Sequence, residues 1–182
     1  MFFLRKSTLE RLPVVMSGVR MGERALQIGV DDSTLVGAIA AKVGLSGHAA
    51  VVVADERHAE KARAAAAGAG ALADVQVTPL DALPFANNAF DVVVVHAGGV
   101  KSALGGASGV AVLRDALRVL RGGGRVVIIE GSGAGLMAKL RASAHADTAA
   151  MLGALDAAGF KATRLLAERE GYRFLEGLKR EA

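Results

Sequence analysis

Three residue types in this 182-residue chain stand where they could do chemistry, each just past a short apolar run. Gly29 follows Ala25-Leu26-Gln27-Ile28, Asp55 follows Ala49 to Ala54, and His96 follows Asp91 to Val95. A glycine admits positive φ and lets a ligand approach the backbone. A carboxylate accepts two hydrogen bonds, which suits a diol, but it can equally cap a helix, and both readings stay open at Asp55. An imidazole titrates near pH ~6.5, so His96 could act as a general base or merely line a pocket. Lys101 and Ser102 are weaker candidates in the Gly-rich stretch from Ala97 to Gly109. His48, His58 and His145 read as surface residues in turns or helices. No cluster of His, Asp and Glu has metal-ligand spacing, so no metal site is expected.

The elements that must position these residues follow from the hydrophobic pattern. Short β-branched runs alternate with Ala-rich amphipathic stretches, the signature of βαβ units around a mostly parallel sheet. Strands are expected at Ala25–Ile28, Ala49–Ala54, Val75–Val77, Asp91–Val95 and Arg125–Ile129. Helices are expected at Ser33–Val43, capped by Ser33 or Thr34, and at His58–Ala67, Val110–Leu120 and Thr148–Ala158. Gly122-Gly123-Gly124 should end the third helix. Phe160–Ala167 and Tyr172–Leu178 read as two strands joined by a turn at Glu168–Gly171. In an open α/β sheet the loops past the strands' C-terminal ends carry the site, which is where Gly29, Asp55 and His96 fall.

Composition narrows the classes. The length suits one domain, with residues 1–23 an N-terminal extension and 24–179 the core. The hydrophobic fraction is 52% and the mean hydropathy +0.38. No run approaches the roughly 18 apolar residues of a membrane span. The opening MFFLRKSTLERLPVVM lacks the order of a secretory signal, and a cytoplasmic location is expected. The net charge is +4, but the Arg and Lys residues are dispersed and there is one Tyr and no Trp. A nucleic-acid partner is therefore not expected. The segment GVDDST is not Gly-x-Gly-x-x-Gly, and GSGAGL has Leu136 where the third glycine belongs, which argues against a nicotinamide dinucleotide enzyme. HAGG after the fourth strand is unlike the Asn-Pro-Pro-Tyr type of motif used on a flipped base.

Four segments resemble the class I S-adenosylmethionine-dependent methyltransferases, closest to the small-molecule group (type 11) that includes the ubiquinone and menaquinone biosynthesis enzymes. They are ALQIGVDDSTL, VVVADERHAEKA, LPFANNAFDVVVV and LRVLRGGGRVVIIE, and the tail AGFKATRLLAEREGYRFLEGLK is similar to that group's terminal hairpin. The resemblance implies a Rossmann-like, doubly wound α/β fold with a seven-stranded sheet whose last strand is antiparallel. It implies S-adenosylmethionine as cofactor and in-line methyl transfer to a small, lipophilic acceptor. Gln27, Gly29, Val30 and Asp31 would lie under the methionine part of the donor, Asp55 on the ribose, and Glu56, Pro79, Leu80 and Asp81 around the adenine. His96 would face the acceptor as the candidate catalytic base.

The chain departs from the family in its first motif. Gln27 stands where an acid is usual, and Asp31 and Ser33 replace the second and third glycines. The adenine-facing acid falls on Pro79, with Asp81 two positions late. The Asp31 carboxylate would face the donor's own carboxylate. Like charges 4 Å apart cost roughly 4 kcal/mol at an effective dielectric of about 20, close to a thousandfold in affinity. An alternative follows, a non-catalytic relative that keeps the fold and binds another ligand or a protein. The segments that would close the site, residues 1–23 and 131–147, are short. The apolar start, Phe2, Phe3, Leu4, Leu9 and Leu12, could make a homodimer contact, touch a membrane surface or pack on its own domain.

Overall fold

In the computed structural model the chain is described over residues 11–100, 104, 106–131 and 148–181. The elements run α1 (Leu12–Met16), β1 (Arg24–Ile28), α2 (Ser33–Val43), β2 (His48–Val53), α3 (Glu56–Gly68), β3 (Asp74–Val77) and β4 (Phe90–His96). A 3-10 turn (Ala97–Val100) follows, then α4 (Gly106–Val119), β5 (Leu120–Gly131), α5 (Thr148–Ala158), β6 (Lys161–Arg169) and β7 (Tyr172–Leu178). The seven strands form one sheet in the order β3-β2-β1-β4-β5-β7-β6. β1 to β5 run parallel, and β7 pairs antiparallel with both β5 and β6.

Continuous apolar strands are buried on both faces because helices cover both. Successive side chains point to opposite sides, and the core divides accordingly. Leu26, Ile28, Val93, Val95, Val126 and Ile128 face a cluster with Leu113 and Ala116 of α4 and Leu155 of α5. Ala25, Val92, Val94, Val127 and Ile129 face the other way, onto Leu35, Ile39 and Val43 of α2 and Val14 of α1. Leu12 packs against this second cluster, on its own domain.

Several boundaries differ from the sequence reading for identifiable reasons. The N-cap of α2 is Asp32 rather than Ser33 or Thr34: Oδ1 accepts from Thr34 N at 2.9 Å and Leu35 N at 3.3 Å, while Oδ2 takes Arg11 at 2.7 Å. The carboxylate has two acceptor oxygens, one for the helix amides and one for the guanidinium. Gly122–Gly124 do not end α4. The helix stops at Val119, and the glycines lie inside β5, where the register to β4 jumps from Phe90↔Leu120 to Val92↔Arg125. Gly123 and Gly124 have no register partner on β4 but bond on the other side to Lys179, Gly123 N donating to its carbonyl at 3.1 Å and Gly124 O accepting from its amide at 2.8 Å. His48 opens β2 and stacks on Phe90, with ring centroids 6.3 Å apart, so it is not a turn residue. The hairpin turn is shorter than expected. Arg169 pairs directly with Tyr172, and Glu170 and Gly171 both have positive φ, the geometry of a two-residue primed turn.

Candidate functional site at the sheet's switch point

Strand order reverses between β1 and β4. From β1 the chain winds outward through α2 to β2, and from β4 it winds the other way through α4 to β5. The C-terminal ends of the two strands lie side by side, Ile28 opposite Val95. Ligands of open α/β sheets bind in the crevice beyond such a pair.

Glycines shape this crevice. Gly29 has φ +80°, a conformation costly for any other residue, and its amide donates to Val52 O at 2.8 Å. A Cβ on Gly29 would lie 2.5 Å from Val100 Cγ1 and 3.3 Å from His96 O. A Cβ on Gly99 would lie 2.5 Å from Val30 O, and one on Gly98 would lie 2.0 Å from Asp31 Oδ2. The loop after β1 and the turn after β4 therefore touch, backbone on backbone, with the Asp31 carboxylate laid across Gly98. Val30 and Val100 are buried there.

Beneath the contact sits a polar pair, Gln27 and His96, both buried. Gln27 Nε2 donates to Val36 O at 3.1 Å, so its Oε1 is the acceptor facing His96 Nε2 at 2.9 Å. His96 must then donate from Nε2, and the neutral ring keeps its lone pair on Nδ1. Burial lowers the His96 pKa to about 4, and the Asp32 charge opposes this only in part. The ring that the sequence offers as a base is thus buried and neutral in this structure. His96 lies under the crevice floor, and its one mapped partner ties β4 to β1 and, through Gln27, to α2. We expect Gln27→Glu to raise the His96 pKa, since a carboxylate at hydrogen-bond distance favours the imidazolium. The variant should also lose about 1–3 kcal/mol of stability, because Val36 O loses its buried donor. Titration of the ring protons by NMR and urea unfolding check the two parts.

The rim is charged. Arg11 reaches Thr34 Oγ1 at 2.6 Å and Asp32 at 2.7 Å, and lies beside Tyr172. Burial alone would raise the Asp32 pKa, but the hydrogen bonds from Thr34, Arg11 and Leu35 outweigh it and hold it low. Asp55 caps α3, accepting from His58 N at 3.0 Å and meeting His58 Nδ1 at 2.8 Å. Those contacts hold its pKa low, the backbone bond first. Its carboxylate remains exposed, so the capping and ligand-binding readings are compatible.

The other expected positions are scattered. Glu56 is exposed and paired with Arg63. Pro79 and Asp81 are exposed beyond β3. Leu80 is buried in the core with Leu83 and Phe90, which leaves little of its side chain for an adenine ring. Lys101, Ser102 and His145 lie outside the described residues. Arg11, Tyr172, Gly98 and Gly99 were not anticipated. The glycine pair directly after His96 is a readable signal, whereas nothing local points from Arg11 to Asp32. Among the described residues no group of three or more His, Cys, Asp or Glu could hold a metal ion. None of their helices is long and apolar enough to cross a membrane.

A doubly wound sheet with a glycine-lined crevice at its switch point and an acid closing the neighbouring strand defines a nucleotide-type small-molecule binding fold. Residues 26–128 match the family model described as a methyltransferase domain, and the chain belongs to that family. It is 33% identical over 135 residues to a ubiquinone/menaquinone biosynthesis C-methyltransferase, UbiE, of Ectopseudomonas mendocina, covering 72% of this chain and 51% of the relative. A UbiE of Idiomarina loihiensis is 31% identical over 123 residues, covering 66% and 47%. The chain thus spans about half the length of these curated relatives. Among solved structures, a SAM-dependent methyltransferase from Aquifex aeolicus superposes with a TM-score of 0.73 at 14% identity, covering 91% of this chain and 87% of that one. The family match and these neighbours make S-adenosylmethionine, the cofactor of the Aquifex aeolicus enzyme, the group whose fit to this crevice can be tested. They do not favour the reading as a non-catalytic module.

The residues fit one end of that cofactor better than the other. The exposed Asp55 carboxylate stands one strand away from Gly29 and suits a ribose diol. At the amino-acid end, the Gly29–Asp31 loop stands directly against the turn at Gly98–Val100.

Proposed function

We propose that the chain is an S-adenosylmethionine-dependent methyltransferase acting on a small lipophilic acceptor. The observation that carries the reading is the family match over residues 26–128, laid on a sheet whose switch point holds Gly29 and whose next strand is followed by Asp55 at the cap of α3. Displacement at a sulfonium methyl group needs an activated donor and alignment more than it needs acid–base groups. In this reading Asp55 holds the ribose, Gly29 and Val30 give backbone approach, and His96 is a positioning residue that fixes the ends of β1 and β4. Tyr172 and Arg11 border the acceptor side. The lipophilic acceptor is argued from the relatives' quinone-biosynthesis names.

Calorimetric titration with S-adenosylmethionine tests the reading. Wild type should bind in the micromolar-to-millimolar range, and Asp55→Ala should weaken binding at least tenfold. A melting curve of the variant separates loss of the α3 cap from loss of the ligand contact. Absence of heat with folded wild type at millimolar donor overturns the proposal.

A further inference from the structure

We propose that His58 competes with the donor's ribose for the Asp55 carboxylate, so that donor affinity falls as the pH drops and the ring becomes charged. The inference rests on the reading of Asp55 as the ribose acceptor and deepens it. Asp55 is the N-cap of α3, and His58 lies three residues on, in the first turn. The backbone amide of His58 donates to Asp55 Oδ1 at 3.0 Å, and this bond is the cap. The ring does something more. Its Nδ1 lies 2.8 Å from Oδ1 and 2.8 Å from Oδ2. A donor equidistant from both oxygens sits on the bisector of the carboxylate, across the edge that the two oxygens share. A vicinal diol presents two O–H groups side by side and matches that same edge. Ring and diol cannot both use it.

The surroundings let the ring give way. The His58 side chain is 34% exposed and that of Asp55 53%, so the ring can turn into solvent while the backbone cap stays in place. The bonds from His58 hold the Asp55 pKa low, the backbone bond first, so the carboxylate stays ionised where an imidazole titrates, between pH ~5 and ~8. Arg57 also acts on Asp55, and Glu56 is paired with Arg63. On the neighbouring loops, Asp81 follows β3, and Asp31 and Asp32 follow β1, with Asp32 bonded to Arg11. A cationic donor binds a carboxylate more strongly than a neutral one, so protonation tightens the ring's hold and excludes the ribose. Exposure of both partners keeps the effect to a few-fold.

The test is calorimetric titration of the full chain with S-adenosylmethionine between pH ~8 and ~5.5, the range over which an imidazole gains its proton. Wild type, His58→Ala and His58→Gln are compared, each confirmed folded at every pH by its melting curve. Both variants keep the backbone amide that caps α3, and His58→Gln keeps a neutral donor that does not titrate. Titration of the donor's own amino group is common to all three. Wild-type affinity should fall by about three- to fivefold more than that of either variant as the pH drops. At the acid end His58→Ala should bind at least about threefold more tightly than wild type. If the three proteins share one pH profile, or His58→Ala binds more weakly than wild type throughout, the ring does not compete, and the donor reading stands. If none of the folded proteins binds at millimolar donor, the donor reading fails and takes the role of His58 with it.

Discussion

Replacing Arg173 with methionine should lower the stability of the fold by about 3–5 kcal/mol, the cost of leaving one member of a buried ion pair alone. Arg173 on β7 and Glu130 on β5 are register partners, and both are nearly inaccessible, at 5% and 7%. Nε of Arg173 donates to Glu130 Oε2 at 2.7 Å, and NH1 donates to Thr148 Oγ1 at the start of α5. The guanidinium thus joins the antiparallel edge of the sheet to the helix that covers it. Without it the Glu130 carboxylate must lose its charge or draw in water, and either outcome costs free energy. Urea unfolding of Arg173→Met, Glu130→Gln and the double variant checks the argument. The double variant should recover much of the loss, because removing a whole buried pair is far less costly than removing half of it. A single-variant loss below about 1 kcal/mol would mean that solvent reaches Glu130 and that the pair behaves as a surface bridge.

This ion pair also shows where the sequence stops being informative. Glu130 ends an apolar run and Arg173 sits in an alternating strand, and neither has a local neighbour that predicts the other. The sheet itself was legible, because the continuously apolar β-branched runs at Val51–Val53 and Val92–Val95 read as strands covered on both faces. The terminal hairpin was legible from a different signal, the alternation of Tyr172, Phe174, Glu176 and Leu178 after a short turn. Details that depend on one backbone meeting another were not. The bulge at Gly122–Gly124 reflects the pairing of β5 with β4, so the triplet looked like a helix stop. Asp32 wins the α2 cap because Arg11, 21 residues away, shares its carboxylate. Leu80 reads from the sequence as an adenine contact, and its packing with Leu83 and Phe90 depends on tertiary neighbours that no local pattern names.

The candidate site divides along the same line. Gly29 and Asp55 are fixed by position at the ends of their strands, and the structure puts them in adjacent strands beside the crevice. His96 was also placed at the right strand end, yet its role depends on Gln27, whose amide substitutes for the acid usual in the resembling family. An acid there would hold the imidazole charged, whereas the amide leaves burial to decide the matter. What lies across the crevice could not be read either. Three glycines in two separate segments are unremarkable until Gly29, Gly98 and Gly99 are seen to permit one contact.

The Gln27–His96 pair makes a second large effect testable through pH. In the unfolded chain His96 titrates near the ordinary value of 6.5, and in the folded protein burial brings it to about 4. Between those values the unfolded state binds a proton that the native state refuses. Stability contributed by the neutral ring is therefore complete above pH ~6.5 and declines as the pH falls toward ~4. At ~1.4 kcal/mol per pKa unit, the loss by pH ~4 is roughly 3 kcal/mol. The carboxylates with lowered values, Asp32, Asp55, Asp91 and Asp115, lose their contribution only as the pH falls below their ordinary value near 3.8. The decline from pH ~6.5 to ~4.5 is thus separable from theirs. Urea unfolding across this range should show a falling midpoint for wild type. His96→Gln should be less stable at neutral pH, because the shorter amide no longer spans to Gln27 in the same way, but its profile should lose this part of the slope. Equal slopes in the two proteins would mean that the ring is hydrated in the native state. The floor of the crevice would then be open to water from below, and the β1 and β4 ends would not be held by the Gln27–His96 bond.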